Sequence, residues 1–260
     1  MTIWDSLKSF FSGQAIKPIQ FKESWTVYLR NNLPLYQKLT NQLRDSLHEK
    51  IAQFVSTKYF EGCSDLELTD EMILTVAGQA CLLIIKHDGA PYPNLKTVLL
   101  YPTTFSSSVD EIDIHGVVTR RSIHRLGESW NNGTVILAWD SVLHGAKNIY
   151  DGHNVTFHEF VHQLDQENGR TDGIPAMENS QAYHTWAQVL DDGYERLLDK
   201  AERGKRTVID KYGTTNVAEF FAVATEAFFE KPTQLKKKQP AIYRELKAYY
   251  AIDPASWFSQ

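Results

Sequence analysis

Cysteine is scarce in this chain: Cys63 and Cys81 are the only two among 260 residues. A secreted scaffold held by disulfides carries more, and no cysteine spacing here suggests a thiolate metal site. Cys81 sits in an apolar run and reads as a buried thiol. A long apolar stretch is also missing. The longest runs from Met72 to Ile85, is broken by Gly78 and Gln79, and falls short of the ~20 residues that a membrane span needs. The start, Met1-Thr2-Ile3-Trp4-Asp5, lacks the basic residues, apolar core and small-residue cleavage site of a signal peptide. Nor is positive charge in excess. Basic residues number 27 and acidic residues 32, a net charge of -5, which leaves no footprint for direct nucleic-acid binding or for an anionic membrane. The short basic cluster Lys236-Lys237-Lys238 is expected in a solvated loop or helix end. These absences lead to the expectation of a soluble, cytoplasmic protein.

What is present fits a globular chain. Hydrophobic residues make up 42% and charged residues 23%, close to globular norms, so a wholly disordered chain is excluded. An aromatic share of 12% argues for a sizeable packed core. The length allows one or two domains.

Apolar spacing predicts a short helix at 1–12, with Ile3, Trp4, Leu7, Phe10 and Phe11 on one face, and further helices at 34–60 and 71–86. Gly89, Pro91 and Pro93 then break the pattern. An N-terminal helical part, 1–90, is expected to end there. The rest, 91–260, is expected to carry the chemistry, the two forming one compact unit. Strands are predicted at Lys96–Tyr101, Ile112–Val118 and Thr134–Trp139, the last launched by the turn Asn131-Asn132-Gly133. Helices return at 153–165, 178–202, 216–230 and 239–250. No internal repeat is visible.

The helix at 153–165 carries His158-Glu159-Phe160-Val161-His162. Residues four apart share a helix face, so two imidazoles at this spacing can grip one metal ion. Glu159, beside the first histidine, can take a proton from a metal-bound water. The spaces are filled by apolar residues, Val155, Phe157, Phe160, Val161 and Leu164. Such a helix is costly to bury with two histidines and a glutamate unless they serve something. A helix placed after a strand-rich segment fits a zincin-like arrangement. The expected fold class is therefore α+β, mainly helical with a small sheet next to the active-site helix.

A catalytic zinc needs a third protein ligand and one open position. A third histidine six residues past His162 would mark one known class, but that position is Asn168. The remaining common choice is a glutamate on a later helix. Glu219 and Glu226, seven apart, share one face of the segment Asn216–Ala227. Glu219 as ligand with Glu226 behind a histidine is one natural division of labour. Asp165 either orients an imidazole or caps the motif helix. His153, His115, His124, His144 and His184 lack partner spacing and are expected to be surface or satisfied histidines.

His158–Asp165, with Asn168-Gly169-Arg170 and Gly173-Ile174-Pro175, resembles the Mlc titration factor A family of zinc-dependent gluzincin peptidases. Gly127–Trp130 with Val135–Trp139 resembles that family's strand before the active-site helix. Ala218–Val223 with Glu226 and Phe228-Phe229 resembles its third-ligand helix. Tyr212–Phe221 is also similar to an active-site segment of the anthrax lethal factor protease domain. That second resemblance implies Glu219 as the third zinc ligand and Tyr212 as the oxyanion stabiliser. The lethal factor carries a further glutamate four residues past its ligand. Val223 stands there in this chain, so that supporting role is absent or moved to Glu226.

The family resemblance implies aminopeptidase activity on small peptide substrates and binding to a glucose-responsive transcriptional repressor. Zinc is expected on His158, His162 and Glu219, with Glu159 as general base and Tyr212 at the oxyanion. The strand at 134–139 is expected to pair with an extended peptide, and the loop from Gln166 to Met177 is a candidate lid. The rival readings are a repressor-sequestering protein with a structural or vestigial zinc and a metal-free helical interaction module.

Overall fold

The computed structural model describes residues 19–103 and 133–258 in full, and the strands at 105–112, 118–125 and 127–130 as backbone. The helix expected at 1–12 lies outside the described residues.

The first α-helices among the described residues are two short ones, α1 (Thr26–Asn32) and α2 (Pro34–Lys38), followed by α3 (Asn41–Thr57). The single helix expected over 34–60 is therefore divided. Leu39 turns extended, and the Thr40 hydroxyl accepts the Leu43 N–H at 3.3 Å to start α3 afresh. At the far end Lys58 turns extended, and its buried ammonium donates to the carbonyls of Tyr92 and Leu95 at 2.7 and 2.9 Å. The chain then enters β1 (Tyr59–Gly62), which sequence periodicity hides inside the helix. Next comes α4 (Asp70–Leu83), capped by Thr69, with Asp70 and Glu71 at its positive end.

The strands β2 (Thr97–Tyr101), β3 (Phe105–Ile112), β4 (Val118–Arg125), β5 (Gly127–Trp130) and β6 (Thr134–Ala138) follow. They form a four-stranded sheet, ordered β1-β2-β6-β5, and a separate β3–β4 pair. The first three strands of the sheet are parallel and β5 runs antiparallel to β6. Val98 sits beside Phe60 and Val135, and all three are buried. The strand expected at Ile112–Val118 is corrected: its two ends belong to β3 and β4 and pair with each other, while 113–117 lie outside the described residues.

Six α-helices follow, with three short 3-10 segments beside them: α5 (Trp139–Lys147), α6 (Val155–Asp165), α7 (Ser180–Glu202), α8 (Val217–Glu230), α9 (Pro232–Lys238) and α10 (Pro240–Tyr250). Lys236-Lys237-Lys238 form the exposed last turn of α9. The whole is α+β, mostly helical with a small sheet. No helix among the described residues is long and apolar enough to cross a membrane.

The motif helix α6 sits at the centre. Phe160 packs on Phe54 and Tyr92 at ring-centroid distances of 5.7 and 4.9 Å, and Phe157 packs on Phe229 at 4.9 Å. All five rings are buried, and each contributes about 1.5–3 kcal/mol relative to exposure. These contacts lock one face of α6 and leave the His158–His162 face to look elsewhere.

Candidate metal centre

Asn154 starts α6. Its side-chain oxygen accepts the Phe157 N–H at 3.0 Å, and its backbone carbonyl takes the His158 N–H at 2.9 Å. One turn on, His158 and His162 project together, with ring centroids 4.9 Å apart. Helix α8 packs alongside α6. The Asn216 side chain caps α8 through the Glu219 N–H at 2.9 Å, which fixes the turn that carries Glu219. Glu219 Oε2 lies 2.8 Å from His158 Nε2 and 3.4 Å from His162 Nε2. One ligand atom from each of the three residues falls within 4.8 Å of the others.

Glu226, two turns further along α8, meets the other ring nitrogen: its Oε1 lies 2.8 Å from His158 Nδ1. Each nitrogen of His158 thus faces a carboxyl group, an arrangement that favours the doubly protonated ring when no metal is bound. Burial by itself would lower the His158 pKa, but the hydrogen bonds to Glu219 and Glu226 outweigh it and hold it well above the usual histidine value. The reciprocal effect appears on Glu219. Burial would raise its carboxyl, yet the two histidines hold it down to about 2.

The other expected residues fall around this cluster. Glu159 is 6% exposed, next to the first histidine. Tyr212 stands on a 3-10 turn, Lys211–Thr214, with its ring 5.8 Å from that of His158 and 56% exposed. Asp210 holds this turn by accepting the Tyr212 N–H at 2.7 Å, and its other oxygen lies 3.5 Å from His153 Nε2.

Asp165 does neither of the things expected of it. Its Oδ2 accepts the Gly173 N–H at 3.0 Å, and its Oδ1 has no partner among the described residues. Burial, the largest influence, pushes the Asp165 carboxyl up to about 6. The loop it holds, the candidate lid, is tied down further. The Trp186 indole N–H donates to the Gly173 carbonyl at 2.9 Å. Gly173 has φ of +77°, and a Cβ there would stand 2.8 Å from the Val217 carbonyl oxygen.

The strand expected to receive a peptide is also corrected. β6 is hydrogen-bonded to β2 on one side and to β5 on the other, so it has no free edge. β5 is the terminal strand on that side and packs against α6. His144 and His153 pair with Asp151 and Asp210 at the surface and take no part in the cluster. His115 and the side chain of His124 lie outside the described residues.

Two residues escaped the sequence reading. Glu230 is buried at 2% exposure and accepts the Gly152 N–H at 2.9 Å and the Asn154 side-chain amide at 3.1 Å. Burial, reinforced by the nearby Glu226 and Asp151 carboxylates, pushes its carboxyl well above the usual range. Its signal in the sequence is the pair Glu226 and Glu230, like charges one turn apart around Phe228-Phe229. Asn154, three residues before Phe157, has the spacing of a helix cap.

A profile of the family described as glucose-regulated metallo-peptidase M90 matches residues 8–251. The chain belongs to this family. It is 41% identical over 231 residues to an uncharacterized protein of Synechocystis sp., covering 88% of this chain and 84% of that one. It is 29% identical over 227 residues to Mlc titration factor A of Serratia proteamaculans, covering 85% of each. The corresponding protein of Yersinia pestis is 28% identical over 228 residues, covering 86% and 83%.

Membership of M90 implies a metal ion, and the donor set fits one. A tetrahedral ion with bonds of about 2.0–2.2 Å sets its ligand atoms roughly 3.3–3.6 Å apart. His162 and Glu219 already stand 3.4 Å apart, while His158 and Glu219 at 2.8 Å must open by about half an ångström. The His158 Nδ1–H to Glu226 contact is the carboxylate support usual behind a metal-ligating histidine.

Proposed function

We propose that this protein is a zinc-dependent peptidase of the gluzincin type, with a zincin-like fold, acting as an aminopeptidase on small peptides. The observation that carries this reading is the convergence of His158, His162 and Glu219, with Glu159 adjacent and Tyr212 flanking His158. In this reading those three side chains hold the ion. When bound, zinc would supply Lewis acidity, polarising the scissile carbonyl and bringing the pKa of a bound water toward about 7. Glu159 takes the proton of the attacking water and passes it to the leaving amine. The Tyr212 hydroxyl donates to the carbonyl oxygen as negative charge grows there, an effect worth a few kcal/mol. The exposure of Tyr212 suits a group that meets substrate from the solvent side. An extended peptide adds by main-chain hydrogen bonds to β5, the end strand of the sheet among the described residues. The N-terminal part, 1–90, and the part beyond it act as one unit, a reading supported by the β1–β2 pairing and by the Phe54–Phe160 contact. A cytoplasmic location accords with the two free cysteines.

The name of the Serratia and Yersinia relatives favours a second activity, capture of the Mlc repressor. In that reading the metal centre serves the shape of a binding protein. The test of the primary reading is hydrolysis of a panel of small peptide substrates by wild type and by Glu159→Gln. Hydrolysis lost in the variant with metal retained supports it. An equally active variant overturns it, and inactivity of the metal-loaded wild type on every substrate favours the binding protein.

A further inference from the structure

Every polar group of Asn154 is engaged at the head of α6. Its N–H donates to Glu226 Oε2 at 2.6 Å, and its carbonyl accepts the His158 N–H at 2.9 Å. Its side-chain oxygen caps Phe157, and its side-chain amide donates to the Gly145 carbonyl at 3.0 Å and to Glu230 Oε1 at 3.1 Å. Glu226 uses its two oxygens on Asn154 and His158. Glu230 uses its two on Asn154 and Gly152. His158 is therefore joined to Asn154 twice, through the helix backbone and through Glu226, and Asn154 is fixed from the other side by Glu230.

A helix start needs only the cap. Burying a second acidic side chain one turn from Glu226 is unfavourable, and an apolar side chain would fill the same space without that cost. The arrangement makes sense when the direction of the first turn of α6 matters. Gly152 has φ of +71°, a conformation that lets the chain turn its N–H onto Glu230.

We propose that Glu230 and Asn154 are positioning residues of the metal centre: they hold the head of α6 against α8 so that Glu226 meets the Nδ1 of His158 and aims its Nε2 at the ion. This rests on the metal-site reading above, and neither residue touches the ion or the substrate. Loss of a supporting partner behind a metal ligand weakens metal binding by about 10–100-fold.

The test is zinc affinity, measured by competition with a chromogenic chelator, beside the thermal midpoint of the metal-free protein. Glu230→Gln, which keeps one acceptor, is expected to bind zinc about tenfold more weakly, at the low end of that range. Glu230→Met, which keeps the volume and removes both acceptors, is expected to lose more. Lys58→Met is the control. It removes a buried ammonium whose hydrogen bonds go to the Tyr92 and Leu95 carbonyls and not to α6 or α8, so the thermal midpoint falls while zinc affinity stays within about twofold of wild type, since no partner of a ligand is lost. Zinc affinity unchanged in both Glu230 variants, with the thermal midpoint lowered as in Lys58→Met, overturns the positioning role and leaves the metal site standing. If Glu230→Met does not fold, Glu230→Gln decides. A wild-type protein that takes up no zinc overturns the metal-site reading and this inference with it.

Discussion

Acid is the perturbation that probes the centre most simply, because protons and metal compete for the same nitrogen. In the metal-free protein His158 donates from both ring nitrogens to Glu219 and Glu226 at 2.8 Å. A metal at Nε2 replaces one of those protons, while the Nδ1–H bond to Glu226 can stay. Each charge-assisted hydrogen bond is worth about 1.5–3 kcal/mol, which is what holds the His158 pKa well above the usual 6.5 despite its burial. Below that raised pKa, each pH unit lowers the apparent metal affinity about tenfold, or 1.4 kcal/mol.

The sign for stability runs the other way. A raised histidine stabilises the metal-free fold fully below the ordinary histidine value, and this contribution fades as pH rises through the raised value. Glu219, held down to about 2, gives its contribution above its ordinary 4.5 and loses it as pH falls through about 2. Both describe one ion pair and are counted once. The assay is calorimetric titration with zinc near neutral pH in two buffers of different ionisation enthalpy. About one proton released per ion, with affinity falling as pH falls, is expected. Metal binding without proton release and without pH dependence would refute the doubly bonded imidazolium.

Three further outcomes are expected. Glu159→Gln should retain its metal and lose hydrolysis by a factor of about 100 or more, since general acid–base catalysis contributes about 10²–10⁴-fold; elemental analysis beside peptide turnover checks both halves. Tyr212→Phe should lower kcat by about 10²-fold, with KM and metal content little changed, because an oxyanion donor acts on the transition state; a raised KM at constant kcat would assign the tyrosine to substrate binding instead. Gly173→Ala forces a Cβ to within 2.8 Å of the Val217 carbonyl oxygen at a φ of +77°. It should destabilise the fold by more than about 1 kcal/mol, read as a lowered denaturation midpoint.

Much of the centre was legible because its spacing is local. His158 and His162 are one helical turn apart, and Glu219 and Glu226 are two turns apart on an apolar helix, so periodicity alone paired them. Glu226 behind a histidine was anticipated, but the bonds that tie α8 to the head of α6 were not legible. Glu226 reaches Asn154 and Glu230 reaches Gly152 across 72 and 78 residues, and no local pattern encodes that meeting. Asp165 shows the same limit, since its partner Gly173 lies in a loop whose path depends on Trp186 and Val217.

In the fold, the helices expected at 71–86, 153–165, 178–202, 216–230 and 239–250 came through to within a few residues at their ends, because their apolar spacing is local. β1 did not. It has four residues, and its parallel partner β2 begins 38 residues after it does, so the apolar rhythm of α3 runs straight into it. The division at Leu39 and Thr40 was missed for a related reason. Leu35, Leu39 and Leu43 keep helical spacing across a break set by backbone direction alone. β6 read correctly as a strand, but its neighbours, which decide whether it can take a peptide, are a property of the sheet.

The central claim is that His158, His162 and Glu219 together hold the ion, and metal content tests it most directly. Purified wild-type protein and Glu219→Ala are compared by elemental mass spectrometry after identical preparation. The account predicts about one zinc per wild-type chain, as a site of three protein ligands requires, and much less in the variant. Equal zinc in both would remove Glu219 from the ligand set, and no zinc in either would contradict the metal centre itself.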